Sequence, residues 1–160
     1  LLVVEVRELR DAARFLALAL AGGLLGGAYI SQYVFGLFPC EMCWWQRWPH
    51  FAALGLVGLA YVAPAPRIWV ALAGAAIFVS GLIGGFHAGV EYDWWEGITG
   101  CAVIDPTRDI FDPTAAPLIR CDEAPWSLFG ISLAGFNFLF SCLGAIAILG
   151  LTVGRQRRAS

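Results

Sequence analysis

Charged residues are spaced so widely along this chain that four long stretches contain none of them. The uncharged stretches cover residues 15–39, 48–66, 68–90 and 124–154. Each comes close to or exceeds the roughly 20 residues with which an α-helix crosses the hydrocarbon core of a membrane. The pattern predicts an all-α membrane protein, a four-transmembrane-helix bundle. We place the spans at about 15–38, 45–62, 68–90 and 128–153, with an outer loop at about 91–127.

The composition also favours a membrane protein over a soluble one. Of 160 residues, 59% are hydrophobic and 14% are charged, and the mean hydropathy is +0.73. Soluble domains carry about 25% charged residues, and the apolar runs are too long and too numerous for one small soluble core. We therefore expect residues 1–160 to form a single integral-membrane domain.

Glycine and proline add detail to the predicted bundle. The runs AGGLLGGA and GLIGGFHAG would weaken helices in water, but small residues in lipid let neighbouring helices approach closely. The segment APAPR at 63–67 cannot continue a helix, so it predicts a tight connection between spans two and three. The first span lacks the cleavage pattern of a signal peptide, and we expect it to be retained.

Arginine positions predict the orientation of the bundle, because basic residues near the ends of spans stay on the cytoplasmic side. With four spans, three groups of arginines fall on one face, and both termini are then cytoplasmic. These groups are Arg7, Arg10 and Arg14, then Arg67, then Arg155, Arg157 and Arg158. The outer loop faces the other side and is rich in Asp and Glu. This acidity argues against nucleic acid as a partner. Membrane lipid is expected to surround the four spans.

The cysteines are the most specific feature of the sequence. Cys40 and Cys43 form one pair on the outer face, Cys101 and Cys121 form a second, and Cys142 lies inside span four. Disulfides persist in exported, oxidising compartments. Three interpretations remain open: structural staples, a metal site built from thiolates, and a redox relay. The wide spacing of the second pair is unlike common zinc motifs, so we expect no metal ligands. Cys142 fits a small hydrophobic role.

The stretch FPCEMCWWQRW, residues 38–48, favours redox chemistry over an inert staple. A Cys-x-x-Cys pair at the start of a helix meets unpaired backbone N–H groups and the positive end of the helix dipole, which favour a thiolate. Arg47 follows Cys43 by four residues, so a continuous helix puts both on one face. An arginine so close to the bilayer has two interpretations. It either interacts with the thiolate or a polar ligand, or it snorkels, extending its charged end to the lipid head groups.

A reactive cysteine pair must pass two electrons to an acceptor. The chain has no haem-attachment sequence, no Gly-rich nucleotide loop and no iron–sulfur cysteine run. A redox carrier dissolved in the membrane meets this need, and a quinone is the obvious one.

Three motifs together resemble the bacterial disulfide bond formation protein B (DsbB) family over nearly the whole chain. They are PCEMCWWQR, the GC at 100–101, and CDEAPWSLFGISLAGFNFLF from Cys121 onward. The resemblance implies a protein-disulfide:quinone oxidoreductase of the bacterial inner membrane, with its cysteine loops facing the periplasm. A vitamin K epoxide reductase-like enzyme has similar chemistry, but the order of motifs fits it less well.

The resemblance also implies a role for each cysteine. The pair Cys101 and Cys121 would oxidise a soluble DsbA-like dithiol protein of thioredoxin fold, with Cys101 as the sulfur attacked. Cys121 would then pair transiently with Cys40, leaving Cys43 as the thiolate that faces ubiquinone or menaquinone. Arg47 matches the arginine that the family places beside the quinone.

Three further polar residues, His87, Glu91 and Gln32, are weaker predictions for the quinone site. His87 lies one helical turn before Glu91, and it either lines the quinone pocket or bonds a neighbouring helix. In the family a histidine often follows a glutamate near this place, whereas here Tyr92 follows Glu91. Gln32 fits a polar position of the family or a hydrogen bond between helices. His50 is not predicted to be catalytic.

Overall fold

Four α-helices make up most of the protein in a computed structural model, which describes residues 2–99 and 119–153. Side chains are described from residue 8 onward. The helices are α1 (Leu2–Tyr33), α2 (Glu41–Val62), α3 (Pro66–Glu91) and α4 (Leu133–Val153). A two-stranded antiparallel hairpin, β1 (Ser127–Leu128) with β2 (Ile131–Ser132), precedes α4. The all-helical class is thus confirmed, with a small hairpin that the sequence pattern did not predict.

Three of the described helices are long and apolar enough to cross a membrane. The qualifying segments are Glu8–Tyr33, Pro66–Glu91 and Leu133–Thr152. The remaining helix, α2, carries Gln46, Arg47 and His50 near its start, and these residues are buried inside the bundle. These three side chains lower the mean hydropathy of α2, but they pack against other helices and are not themselves exposed to lipid.

Two helix boundaries fall well inside the predicted spans. Helix α1 ends at Tyr33 rather than near residue 38, because Gly36 turns the chain with a φ of +68° and Pro39 follows. Helix α4 begins at Leu133 rather than near residue 128, because the hairpin turn around Gly130, with a φ of +77°, occupies that segment. The predicted tight connection after α2 is confirmed, since only residues 63–65 separate α2 from α3.

Small residues allow α3 and α4 to pack closely. A β-carbon added at Gly81, Gly84 or Gly85 would lie 2.7–2.9 Å from atoms of α4. The run in α1 behaves differently, because Gly26 and Gly27 have no such neighbour within 4 Å. The expectation of close approach is therefore confirmed for the glycine run of α3 and wrong for that of α1.

The two ends of the bundle differ in chemistry. Arg10 and Arg67 line one small cavity together at the end where α1 begins. Arg14 donates a hydrogen bond from α1 to the carbonyl oxygen of Ala60, near the end of α2. The Cys-x-x-Cys pair stands at the opposite end of α2. This arrangement separates the basic end of the bundle from the cysteine end.

Candidate functional site

The Cys-x-x-Cys pair forms the start of α2. Cys40 caps the helix, and its sulfur accepts a hydrogen bond from the backbone N–H of Cys43 at 3.3 Å. The Cys40 thiol in turn donates to the sulfur of Cys43, 3.0 Å away. This hydrogen bond, together with burial, holds the pKa of Cys40 well above its ordinary value. Cys40 is therefore the protonated partner, and Cys43 is the sulfur that accepts.

Arg47 lies buried against α1 rather than reaching outward. Its side chain donates to the Gln32 side-chain oxygen at 2.7 Å and to the Ala28 carbonyl oxygen at 3.2 Å. The guanidinium also lies over the rings of Tyr29 and Trp44, at 4.8 and 4.9 Å from their centroids. Only 5% of Arg47 is exposed. The snorkelling interpretation is excluded, and Gln32 does form the hydrogen bond between helices that the sequence allowed.

His87 connects the cysteine pair to α3. Its Nε2 lies 3.6 Å from the sulfur of Cys40 and 3.7 Å from a carboxylate oxygen of Glu91. Its Nδ1 lies 2.9 Å from the side-chain nitrogen of Gln46. His87 therefore borders the cysteine pair and bonds a neighbouring helix, which confirms the second sequence-based alternative; its place in a quinone pocket stays a prediction.

Glu91 is a buried carboxylate with an incomplete set of partners. Its side chain is 2% exposed, and the Ser132 side chain hydrogen-bonds to it. Its Oε2 atom has no hydrogen-bond partner among the described residues. A buried carboxylate oxygen without a partner is costly, which marks this position for a proton or a ligand.

A buried polar network below the cysteines was missed by sequence reasoning. Asn137 of α4 donates to the side-chain oxygen of Gln46 at 2.9 Å and to Ser80 at 3.1 Å, while its own oxygen contacts His50 and Ser141. The network ties α2, α3 and α4 together at the depth of the site. The available signal was a lone asparagine in an otherwise apolar stretch, because polar groups inside membrane helices usually have partners.

Two cavities meet at the cysteine pair. An outer cavity of about 250 Å³ is lined by Cys40, Cys43, His87 and Glu91 and by the segment 119–125. An inner cavity of about 190 Å³ has mostly apolar walls from α1, α2 and α4, and Cys43 and Arg47 also line it. His87 and Glu91 border both cavities, whereas Cys40 borders only the outer one. Cys43 is thus the sulfur that both cavities reach.

Cys121 lies next to the first cysteine pair. It is completely buried, packs in one cluster with Cys40, Met42 and Val90, and is disulfide-bonded. Cys101, the other predicted member of the second pair, lies outside the described residues. The thiols of Cys40 and Cys43 are free, so the transient Cys40 to Cys121 bond is not the state seen here.

Ion pairs hold the segment that lines the outer cavity. Arg120 pairs with Asp122 at 2.6 Å and with Glu123 at 2.7 Å. The hydrogen bonds from Arg120 lower the pKa of the Asp122 carboxyl. Because these groups are partly exposed, the pairs add little stability, but they join residues on either side of Cys121.

Cys142 lies away from this site, in α4. Its thiol is free and half-buried, and it packs against Gly81 of α3. This placement agrees with the packing role predicted for it and makes Cys142 a suitable control for experiments on the other thiols.

Comparison with known proteins adds a family relationship. A family model described as "Disulfide bond formation protein DsbB" matches residues 10–151. A "Disulfide bond formation protein B" of Verminephrobacter eiseniae is 30% identical over 94% of this chain and 93% of its own length. A protein of the same description from Ralstonia nicotianae is 31% identical over 91% of this chain and 96% of its own length. Another from Polaromonas sp. is 29% identical over 92% of this chain and 94% of its own length. No solved structure matches the chain.

Proposed function

The chain belongs to the disulfide bond formation protein DsbB family, a family of disulfide-forming membrane proteins, and from this we propose that it is a quinone-dependent thiol oxidase. In this role it re-oxidises a periplasmic DsbA-like dithiol protein of thioredoxin fold. Electrons pass from the Cys101 and Cys121 pair to the Cys40 and Cys43 pair and then to ubiquinone or menaquinone.

One observation carries the proposal: Cys43 borders both cavities, and Cys40 borders only the outer one. A relay needs one sulfur that receives electrons from the second pair and another that delivers them to the acceptor. Cys40 packs against Cys121 and suits the first task. Cys43 lines the inner, apolar cavity and suits the second.

The size of the inner cavity supports a quinone ring as its occupant. A cavity of about 150 Å³ can hold a benzene ring, and this one measures about 190 Å³. Its walls are mostly apolar, with Arg47 and His87 as polar groups that could contact ring oxygens. The quinone supplies an acceptor for two electrons and two protons.

The protein's own residues stabilise the thiolates that Cys43 and Cys40 must form. Formation of the Cys40–Cys43 disulfide from two thiols releases two electrons and two protons. The hydrogen bond from the Cys40 thiol favours the thiolate of Cys43 most, and the helix start and the positive charge of Arg47 add to it. Because the amide nitrogen of Gln46 donates to His87 Nδ1, His87 Nε2 carries the ring hydrogen; it faces the sulfur of Cys40 at 3.6 Å and would stabilise the thiolate that Cys40 forms on losing its proton. Gln46 holds the His87 ring through Nδ1.

The proposed setting is the bacterial inner membrane. Helix α2 crosses it together with α1, α3 and α4, and both termini lie in the cytoplasm. The arginine end of the bundle then faces the cytoplasm, and the outer cavity opens toward the periplasm. The segment 119–125 borders that cavity and carries Cys121, so a soluble dithiol partner approaching from the periplasm would meet the second pair first.

The test is quinone reduction by the purified protein in detergent, driven by a reduced thioredoxin-fold dithiol donor. Turnover that needs both the donor and a quinone supports the proposal. Absence of turnover with ubiquinone, with menaquinone and with several donors, while the outer disulfide stays intact, would instead favour structural disulfides.

We expect Arg47→Ala to weaken quinone use. The substitution removes a positive charge from the wall of the inner cavity, and hydrogen bonds to charged groups contribute about 1.5–3 kcal/mol, or about 10-fold or more in affinity. The apparent KM for quinone should rise by about that factor, measured with saturating donor.

Arg14→Ala is the matched control. Arg14 also donates to a backbone carbonyl across helices and lies 4.9 Å from a tyrosine ring, that of Tyr61, but at the other end of the bundle. Its loss should leave the KM for quinone unchanged. Equal effects of the two substitutions would show that Arg47 acts only through helix packing.

A further inference from the structure

We propose that Glu91 is the proton acceptor of the first cysteine pair and takes the proton that Cys40 loses when the Cys40–Cys43 disulfide forms. This inference rests on the proposed function and deepens it, because oxidation of the pair needs a route for protons as well as for electrons. Glu91 is the last residue of α3, far from the cysteine pair in sequence, and the packing of α3 against α2 brings it to the site.

His87 faces Cys40 but cannot take this proton. The side-chain oxygen of Gln46 accepts from Asn137 at 2.9 Å, so its nitrogen is the atom that donates to His87 Nδ1. The ring hydrogen of His87 is then on Nε2, the atom 3.6 Å from the sulfur of Cys40. Nε2 can donate to a thiolate but has no lone pair with which to accept a proton. The proton acceptor must therefore be another group.

Glu91 is placed to be that group. Among the residues that the structure describes, it is the only Asp or Glu that lines both cavities. One of its carboxylate oxygens lies 3.7 Å from His87 Nε2, the same atom that faces Cys40. The carboxylate and the Cys40 sulfur are thus neighbours of one N–H group, and both border the outer cavity.

The second carboxylate oxygen of Glu91 is available for a proton. Oε2 has no hydrogen-bond partner within the described ranges, and the side chain is only 2% exposed. Ser132 hydrogen-bonds to the carboxylate, which leaves the charge only partly compensated. An ionised carboxylate that is buried in this way gains stability when it takes up a proton.

Oxidation of the pair then moves one proton through Glu91. The Cys43 thiolate and the Cys40 thiol join as a disulfide, the S–H bond of Cys40 breaks, and two electrons pass to the acceptor. The Cys40 proton goes to a carboxylate oxygen of Glu91, directly or through one water in the outer cavity. Because Glu91 also lines the inner cavity, it can pass this proton to the reduced acceptor, which takes its second proton from solvent.

Other ionisable groups border the same two cavities, and a test must hold them constant. They are Cys40, Cys43, Arg47 and His50 of α2, His87 of α3, and Arg120 and Glu123 of the segment 119–125. Glu91→Gln keeps all of them and preserves the shape of the side chain, so a changed pH profile reports Glu91 itself. Glu123→Gln is the matched control, because Glu123 is an acidic residue that lines the outer cavity alone.

The experiment measures oxidation of the reduced Cys40–Cys43 pair in the purified full chain, in detergent and without a protein donor. Two oxidants are compared: ubiquinone, and diamide, a soluble azo compound that takes two electrons and two protons from a dithiol. The disulfide is quantified by alkylation and mass spectrometry. Near neutral pH, Glu91→Gln should be slower by about 100-fold with either oxidant, on the scale of general acid–base catalysis. Glu123→Gln should match wild type.

The pH profile separates a proton acceptor from a packing residue. The wild-type rate should reach a plateau once Glu91 is ionised. The rate of Glu91→Gln should keep rising by about tenfold per pH unit, because hydroxide must then take the proton. Glu91→Asp retains a carboxylate and should restore the plateau and part of the rate.

Equal rates in wild type and Glu91→Gln, or a slower rate with an unchanged pH profile, would overturn the inference. The diamide arm keeps it distinct from the proposed function. Wild type that is oxidised by diamide but by no quinone would contradict the quinone oxidase, while the comparison of Glu91→Gln with wild type in diamide would still decide the role of Glu91.

Discussion

Cys43→Ser is expected to abolish quinone reduction, with a loss of at least about 1,000-fold in turnover, the scale seen when a nucleophile that acts as part of a unit is removed. Cys43 is the sulfur that lines both cavities and accepts the hydrogen bond from Cys40. Without it the first pair cannot form a disulfide, and serine offers no thiolate at neutral pH. No other free thiol borders the inner cavity in the described part of the chain.

The measurement is the fall in quinone absorbance with a reduced dithiol donor, comparing wild type, Cys43→Ser and Cys142→Ser. Cys142→Ser keeps the same number of cysteines as Cys43→Ser and should turn over like wild type, because Cys142 packs against α3 away from both cavities. Residual donor-dependent activity above about a tenth of wild type in Cys43→Ser would remove Cys43 from the relay.

The sequence predicted the fold class because apolar length is a local property. Uncharged runs of spanning length are visible residue by residue, and APAPR marked the turn between α2 and α3. The end of α1 and the start of α4 were harder to predict from the sequence, since Gly36 and the turn at Gly130 are themselves uncharged and extend the apolar runs without being helical. Hydropathy alone does not separate a helix from an apolar turn.

The candidate site was only partly predictable for a related reason. The spacing of Cys43 and Arg47 follows from one helix turn, so their shared location could be foreseen. The contact of His87 with Cys40 joins residues 47 positions apart, and the partners of Asn137 lie on two other helices. Such contacts depend on how α3 and α4 pack, which the glycines of α3 control and no local pattern reveals.

Cys121→Ser is expected to separate the two halves of the relay. Donor-driven quinone reduction should fall by at least about 100-fold, because Cys121 belongs to the pair proposed to take electrons from the soluble partner and packs beside Cys40. Cys101→Ser should behave in the same way. The Cys40–Cys43 pair itself remains intact in both variants, together with the inner cavity and Arg47.

A small dithiol can test this separation, since thiol–disulfide exchange depends on access to the sulfur attacked. The outer cavity borders Cys40 and Cys43 directly, so dithiothreitol should reduce the first pair without help from the second. We therefore expect Cys121→Ser to keep most of its quinone reduction with dithiothreitol while losing it with the protein donor. Loss with both reductants would mean that Cys121 holds the bundle together, and retention with both would mean that the protein donor reaches Cys40 directly.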